Sequence, residues 1–201
     1  MAPAAARWTT GQALDRILQL GLATSDQVAE VTEEYRLGDE LDLALLDSCE
    51  SLPHALVSLM EQLGVGFGVG TDDGVTPGAE ADAYQAVLQD AAQCTGGLLT
   101  ITDVELGPDD EFDMCLLFQC NNEPQRWPIE LRGKYFDLMA FVEGIDDLDV
   151  PPHVWDSIDT DESDGCDPYD LELRNFYFFG EPGALRLLTT DFGVKLLRHG
   201  D

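Results

Sequence analysis

The hydrophobic period of the chain switches between that of helices and that of strands, and those switches limit the folds open to it more than any other feature. Apart from a glycine-rich break, apolar positions recur at helical spacing as far as residue 94; from Leu98 to Leu131 they follow the spacing of strands; from Leu138 the helical spacing returns. In "GQALDRIL", Leu14, Ile17 and Leu18 fall on one helical face. "ATSDQVAEVTEEY" offers Thr24 as an N-cap with Gln27 at capping-box distance. "SLPHALVSLMEQLG" puts Ser51 at the cap, Pro53 in the first turn and Gly64 past the end. Another helix is expected over residues 79–94, with Tyr84, Val87, Leu88 and Ala91 as its stripe and Gly96-Gly97 as its stop.

The strand-period stretches "LLTITDVEL", "FDMCLLFQC" and "RWPIEL", separated by "GPDDE" and "NNEPQ", predict an antiparallel meander. "RGKYFDLMAFVEGIDDL" predicts a helix capped by Asp137, with Leu138, Phe141, Val142 and Ile145 on one face. "LRNFYFF", the turn "GEPGA" and "LRLLTT" predict a last hairpin. A short helix in "TTDFGVKLLRH" then closes the chain, with Lys195 and Arg198 suited to its C-terminal dipole. The fold class is α+β: an N-terminal helical part, 1–64, a Gly-rich connector, 65–78, and an antiparallel β-meander flanked by helices, 79–201. The last part carries an irregular acidic loop at about 149–171, longer than most loops in a compact domain.

A hydrophobic fraction of 44%, including nine Phe, five Tyr and three Trp, supplies a core despite the charge. That charge is −30, from 40 acidic residues against 10 basic ones. Direct nucleic-acid binding and attachment to anionic membranes both require the opposite sign. A basic protein partner is the expectation. The basic residues are also unevenly placed, with none from 37 to 125 and none from 135 to 173. Five cysteines without a small-scaffold spacing, no apolar leader and no long apolar run lead to a cytoplasmic expectation with reduced thiols.

Motif by motif, the chemistry thins out. "DTDESDGCDPYD" invites comparison with a calcium loop, but with Asp159 at position 1 the glycine falls one place late, and Pro168 stands where the exiting helix should form. "GVGFGVG" lacks the GK[ST] of a phosphate loop and any nearby cation; alternating Val65, Phe67 and Val69 suit a short strand or a tight backbone crossing. Cys115 and Cys120 are five apart on a strand, hence on opposite faces, and are read as buried small apolar residues. His54, His153 and His199 match no catalytic or metal motif. No catalytic residue, metal or cofactor is expected.

The remaining feature is a polyanionic stretch interleaved with aromatics. Between Tyr135 and Leu173 there are thirteen acidic residues and no basic ones. With a Debye length of about 8 Å at physiological salt, so dense a cluster acts collectively on an approaching cation. The expected partner surface comprises Asp146, Asp147, Asp149, Trp155, Asp156, Asp159, Asp161, Glu162, Asp164, Asp167, Tyr169 and Asp170. Its aromatics would either anchor a partner or fold back onto the chain's own core.

The order "AYQAVLQDAAQCTGG", strands, "RGKYFDLMAFVEGIDDL", then "RNFYFFGEPGALRLLTTDFGVKLL" resembles the small immunity proteins encoded beside bacterial polymorphic toxins. The elements that carry the resemblance are Tyr135, Phe136 and Asp137 opening a helix after a hairpin, and the late "FYFF" strand before a short final helix. It covers about residues 80–198 and implies an α+β inhibitor that binds one toxin, without catalysis. Two other expectations stand beside it: a nucleic-acid mimic that inhibits a DNA-binding protein, of anti-restriction or phage type, and an acidic housekeeping domain.

Overall fold

The computed structural model describes residues 8–34, 52–70, 79–108, 114–130, 137–158, 174–194 and 196–197. Helix α1, Thr10–Gln19, opens on a full capping box between Thr9 and Gln12 and buries Ala13, Leu14 and Ile17. Helix α2, Ser25–Glu34, is capped by Thr24, whose hydroxyl accepts from Gln27 N at 3.3 Å while Thr24 N donates to Gln27 Oε1 at 2.8 Å. Such a cap is worth about 1 kcal/mol. Helix α3, Leu52–Gln62, ends at Gly64, whose φ of 65° is the left-handed stop expected there. Strand β1, Gly66–Gly70, follows at once, and helix α4, Glu80–Cys94, comes next.

Strands β2, Ile101–Pro108, β3, Met114–Cys120, and β4, Glu123–Ile129, form the expected antiparallel meander. The second turn is shorter than expected: Asn121 and Asn122, both at positive φ, join Cys120 to Glu123 directly. That is the primed two-residue turn Asn favours, and it lets β4 begin three residues before "RWPIEL". Helix α5, Leu138–Gly144, runs into a single 3-10 turn, Ile145–Leu148.

Two expectations are corrected downstream. The acidic loop at 149–171 holds a strand, β5, Val154–Ile158. The last hairpin does not exist: after β6, Arg174–Gly180, the chain enters helix α6, Pro182–Phe192, with Leu185, Leu188 and Phe192 buried. Pro182 at the first helical position and Gly193, at φ 69°, just past the end are its punctuation. The closing helix expected in "TTDFGVKLLRH" is therefore the end of α6. Strand β6 pairs instead with β1 on one side and β5 on the other, all antiparallel.

That second sheet lies between two cores, and β6 serves both. Tyr177 and Phe179 join Phe67, Tyr84, Phe118, Trp127, Phe141 and Trp155 on the meander side. Phe176 and Phe178 turn the other way, onto Leu14, Ile17, Leu56, Met60, Leu185 and Leu188. The helical core thus draws on both ends of the chain, and the first part of the expected connector holds strand β1. At the seam, Trp8 stacks on Phe192 with centroids 4.5 Å apart, and Arg16 Nε meets Asp191 Oδ2 at 2.7 Å.

The glycine alternation in β1 has a steric cause. A Cβ on Gly66 would lie 2.7 Å from Phe178 Cδ1, and one on Gly68 would lie 2.8 Å from Phe176 Cε1. Each glycine faces its aromatic partner across the β1/β6 ladder, so the rings occupy the space that β1 side chains would need.

Candidate functional site

Residues 137–158 lead from the meander to the second sheet and contain the described part of the expected partner surface. Asp137 starts this segment as a three-way junction. Its Oδ2 accepts from Glu130 N at 2.7 Å, its Oδ1 accepts from Met139 N at 3.1 Å, and its own N–H donates to the Tyr84 hydroxyl at 3.2 Å. The end of β4, the start of α5 and the body of α4 are thereby fixed to one carboxylate and its backbone.

The 3-10 turn then buries Ile145 and Leu148 and leaves Asp146 and Asp147 exposed. Asp147 nevertheless has structural work, because its Oδ2 accepts from Trp127 Nε1 at 3.0 Å. Asp149, half-buried, accepts from Trp155 N at 2.8 Å, and Trp155 Nε1 donates to Leu148 O at 3.2 Å. Asp156 is buried, with Oδ1 taking Ser157 N at 2.8 Å. Ser157 O accepts from Leu197 N at 2.9 Å. Trp155 N and Ser157 O both lie on the edge of β5 turned away from β6, so an acidic side chain and the C-terminal segment close that edge.

Trp155 and Asp156 are each 0% exposed, which removes both side chains from the surface where the sequence placed them. Trp155 packs edge-on to Phe67 at 5.3 Å and tilted against Phe179 at 5.0 Å. The physical reason is strand alternation in "VWDSI": once β5 pairs with the aromatic β6, both of its faces meet a core. Asp159, Asp161, Glu162, Asp164, Asp167, Tyr169 and Asp170 lie outside the described residues.

What the structure brings together is a different group, at the turn between β3 and β4. Glu123 stands opposite Cys120 in the β3/β4 register, and Cys120 Sγ lies 4.0 Å from Asp147 O; burial raises the Cys120 thiol, and the charges of Asp147 and Glu123 raise it further. Glu123, Asp146 and Asp147 are exposed. Beside them Asn121 Nδ2 donates to Leu98 O at 3.2 Å, and Thr100 N donates to Asn121 Oδ1 at 2.8 Å. Leu98, 47% exposed, is thereby held next to the acidic turn. Glu123 and Leu98 do not stand out in the sequence; the signal that could have found them is the Asn-Asn pair, which sets Glu123 opposite Cys120.

Burial disfavours the thiolate at Cys94 and Cys120. Burial, with Asp90 and Glu61 adding to it, pushes Cys94 up to about 12, so the thiolate is scarce at neutral pH. Cys115 and Cys120 are buried on opposite faces of β3, as their spacing requires. His153 stacks on Phe179 at 5.3 Å. Among the described residues no group of three or more His, Cys, Asp or Glu is placed to hold a metal ion, and no helix is long and apolar enough to cross a membrane. No protein-family model, curated protein or solved structure matches the chain.

Proposed function

We propose that the chain is a non-enzymatic acidic immunity protein, which binds and neutralises a basic bacterial toxin domain in the cytoplasm. The observation that carries this reading is the net charge of −30 together with the long cation-free stretches of the sequence. The exposed carboxylates Glu123, Asp146 and Asp147 beside exposed Leu98 support it, because they combine a steering field with an apolar contact. Carboxylates would stand where a toxin's anionic substrate sits, and exclusion of water around Leu98 would strengthen them. Trp155 has no part in this surface.

The test is affinity capture from the native source at low and high salt, followed by binding kinetics with the captured partner. One basic protein, released as salt rises, is the expected result. Reversal of Glu123 and Asp146 to Lys is expected to slow association about tenfold or more and to flatten its salt dependence. The same measurement on a variant reversed at Asp161, Glu162, Asp164 and Asp167 tests the segment first expected to bind. A blank at both salts would sink the proposal, and capture of a DNA-binding protein would favour the nucleic-acid mimic instead.

A further inference from the structure

An antiparallel strand turns successive N–H and C=O pairs to alternate sides, so one known pair fixes the direction of all the others. The two-residue turn at Asn121-Asn122 makes Cys120 and Glu123 the closing pair of the β3/β4 hairpin, and such a pair is hydrogen-bonded. Glu123, Gln125, Trp127 and Ile129 therefore point their backbone groups at β3. Pro124, Arg126 and Pro128 point theirs outward, along the edge of the meander. Asn121 N donating to Thr100 O on the opposite side of β3 agrees with this alternation.

Proline has no N–H, and its ring occupies the space an incoming carbonyl would enter. Of the three outward positions on β4, only Arg126 carries a backbone donor. All three residues are exposed, and among the described residues no strand pairs with this edge. We infer that β4 is a strand-addition edge closed by Pro124 and Pro128 against a second copy of this chain. The occupant excluded is another β4, which would meet this one antiparallel about a two-fold axis and join two three-stranded sheets into one.

The charge of the molecule makes such a block useful. Two copies at −30 repel each other, but that repulsion is screened beyond about 8 Å at physiological salt. Strands pair at about 4.8 Å through backbone groups that are themselves uncharged. Missing donors remain missing at any ionic strength, whereas repulsion weakens as salt rises.

The experiment restores the donors without adding apolar surface: Pro124→Thr with Pro128→Thr, compared with the unaltered chain by light scattering across protein and salt concentration. The unaltered chain is expected at 22.0 kDa throughout. The double variant is expected to approach twice that mass as concentration rises, and sooner at high salt. Adding Arg126→Pro to the double variant removes the middle one of its three outward donors and is expected to weaken its association. Each single Thr variant restores one donor, so partial association of either supports the inference if the double variant folds poorly. A variant set that keeps the single mass at every salt overturns it; so does association that Arg126→Pro leaves undiminished, or an unaltered chain that already pairs through β4.

Discussion

Gly66 and Gly68 have no side chain because two phenylalanine rings of the neighbouring strand lie over their Cα atoms. The requirement is one of volume, since neither has the positive φ that would call for glycine on backbone grounds. A methyl group at Gly66 would also stand 3.0 Å from Tyr177 O, and backbone cannot rotate away as a ring can. Gly66→Ala is therefore expected to destabilise the fold by about 1–3 kcal/mol, read from urea unfolding. Gly183 supplies the contrast, lying in the first turn of α6 with nothing within 4 Å of the place a methyl group would take. Gly183→Ala is expected to stabilise by about 0.5–1 kcal/mol, through helix propensity and a less free unfolded chain. Equal effects at the two sites would mean that ring packing is not what β1 responds to.

At the scale of elements, the legible parts are those whose signals are local. Thr24 with Gln27, Asp137, Gly64 and Gly96-Gly97 each announce a boundary by their own chemistry, and the meander announces itself by alternation. Strand β5 and helix α6 escape a reading of the sequence because their identity depends on what they pack against. "VWDSI" sits in an acidic context and is drawn into strand only by pairing with "FYFF", while "ALRLLTT" fits either period until the core takes Leu185, Leu188 and Phe192. The candidate site suffers in the same way: Trp155 looks like a surface anchor because its partner strand is distant in sequence. Trp155→Ala is accordingly expected to cost about 3–5 kcal/mol of stability. A surface anchor would lose partner affinity and leave the urea midpoint alone, so the same unfolding curve separates the two roles.

Across the whole molecule, two cores share one sheet, and ionisable groups are buried in a chain already rich in negative charge. Burial pushes the Tyr84 hydroxyl up to about 12; the Asp137 backbone N–H opposes this and the Asp137 charge adds to it. Tyr177 is likewise pushed up to about 12 by burial, opposed by the Asn175 side chain. Its hydroxyl nevertheless meets no partner at hydrogen-bonding geometry, so burial is the cause that counts. Cys94 belongs with them, at about 12 against 9.0 unperturbed. Each is neutral when protonated, and its folded pKa lies above its unfolded one. The unfolded chain consequently loses these protons first as pH rises. Their contribution to stability is complete below pH 9.0, where Cys94 would begin to titrate in the unfolded chain, and below 10.0 for the tyrosines, and it is lost as pH approaches about 12. At about 1.4 kcal/mol per pKa unit, each tyrosine accounts for a loss on the order of 2–3 kcal/mol over that window. Alkaline titration followed by tyrosinate absorbance and far-UV circular dichroism should show Tyr84 and Tyr177 ionising only as the fold is lost. Tyr177→Phe removes a buried hydroxyl without a partner, so it should shift that unfolding to higher pH and leave neutral stability equal or higher. Tyr84→Phe should also weaken the alkaline transition, but at neutral pH it leaves Asp137 N without its acceptor and lowers stability. Ionisation of all five tyrosines near their ordinary value, with the fold intact, would contradict the placement of both rings in the shared core.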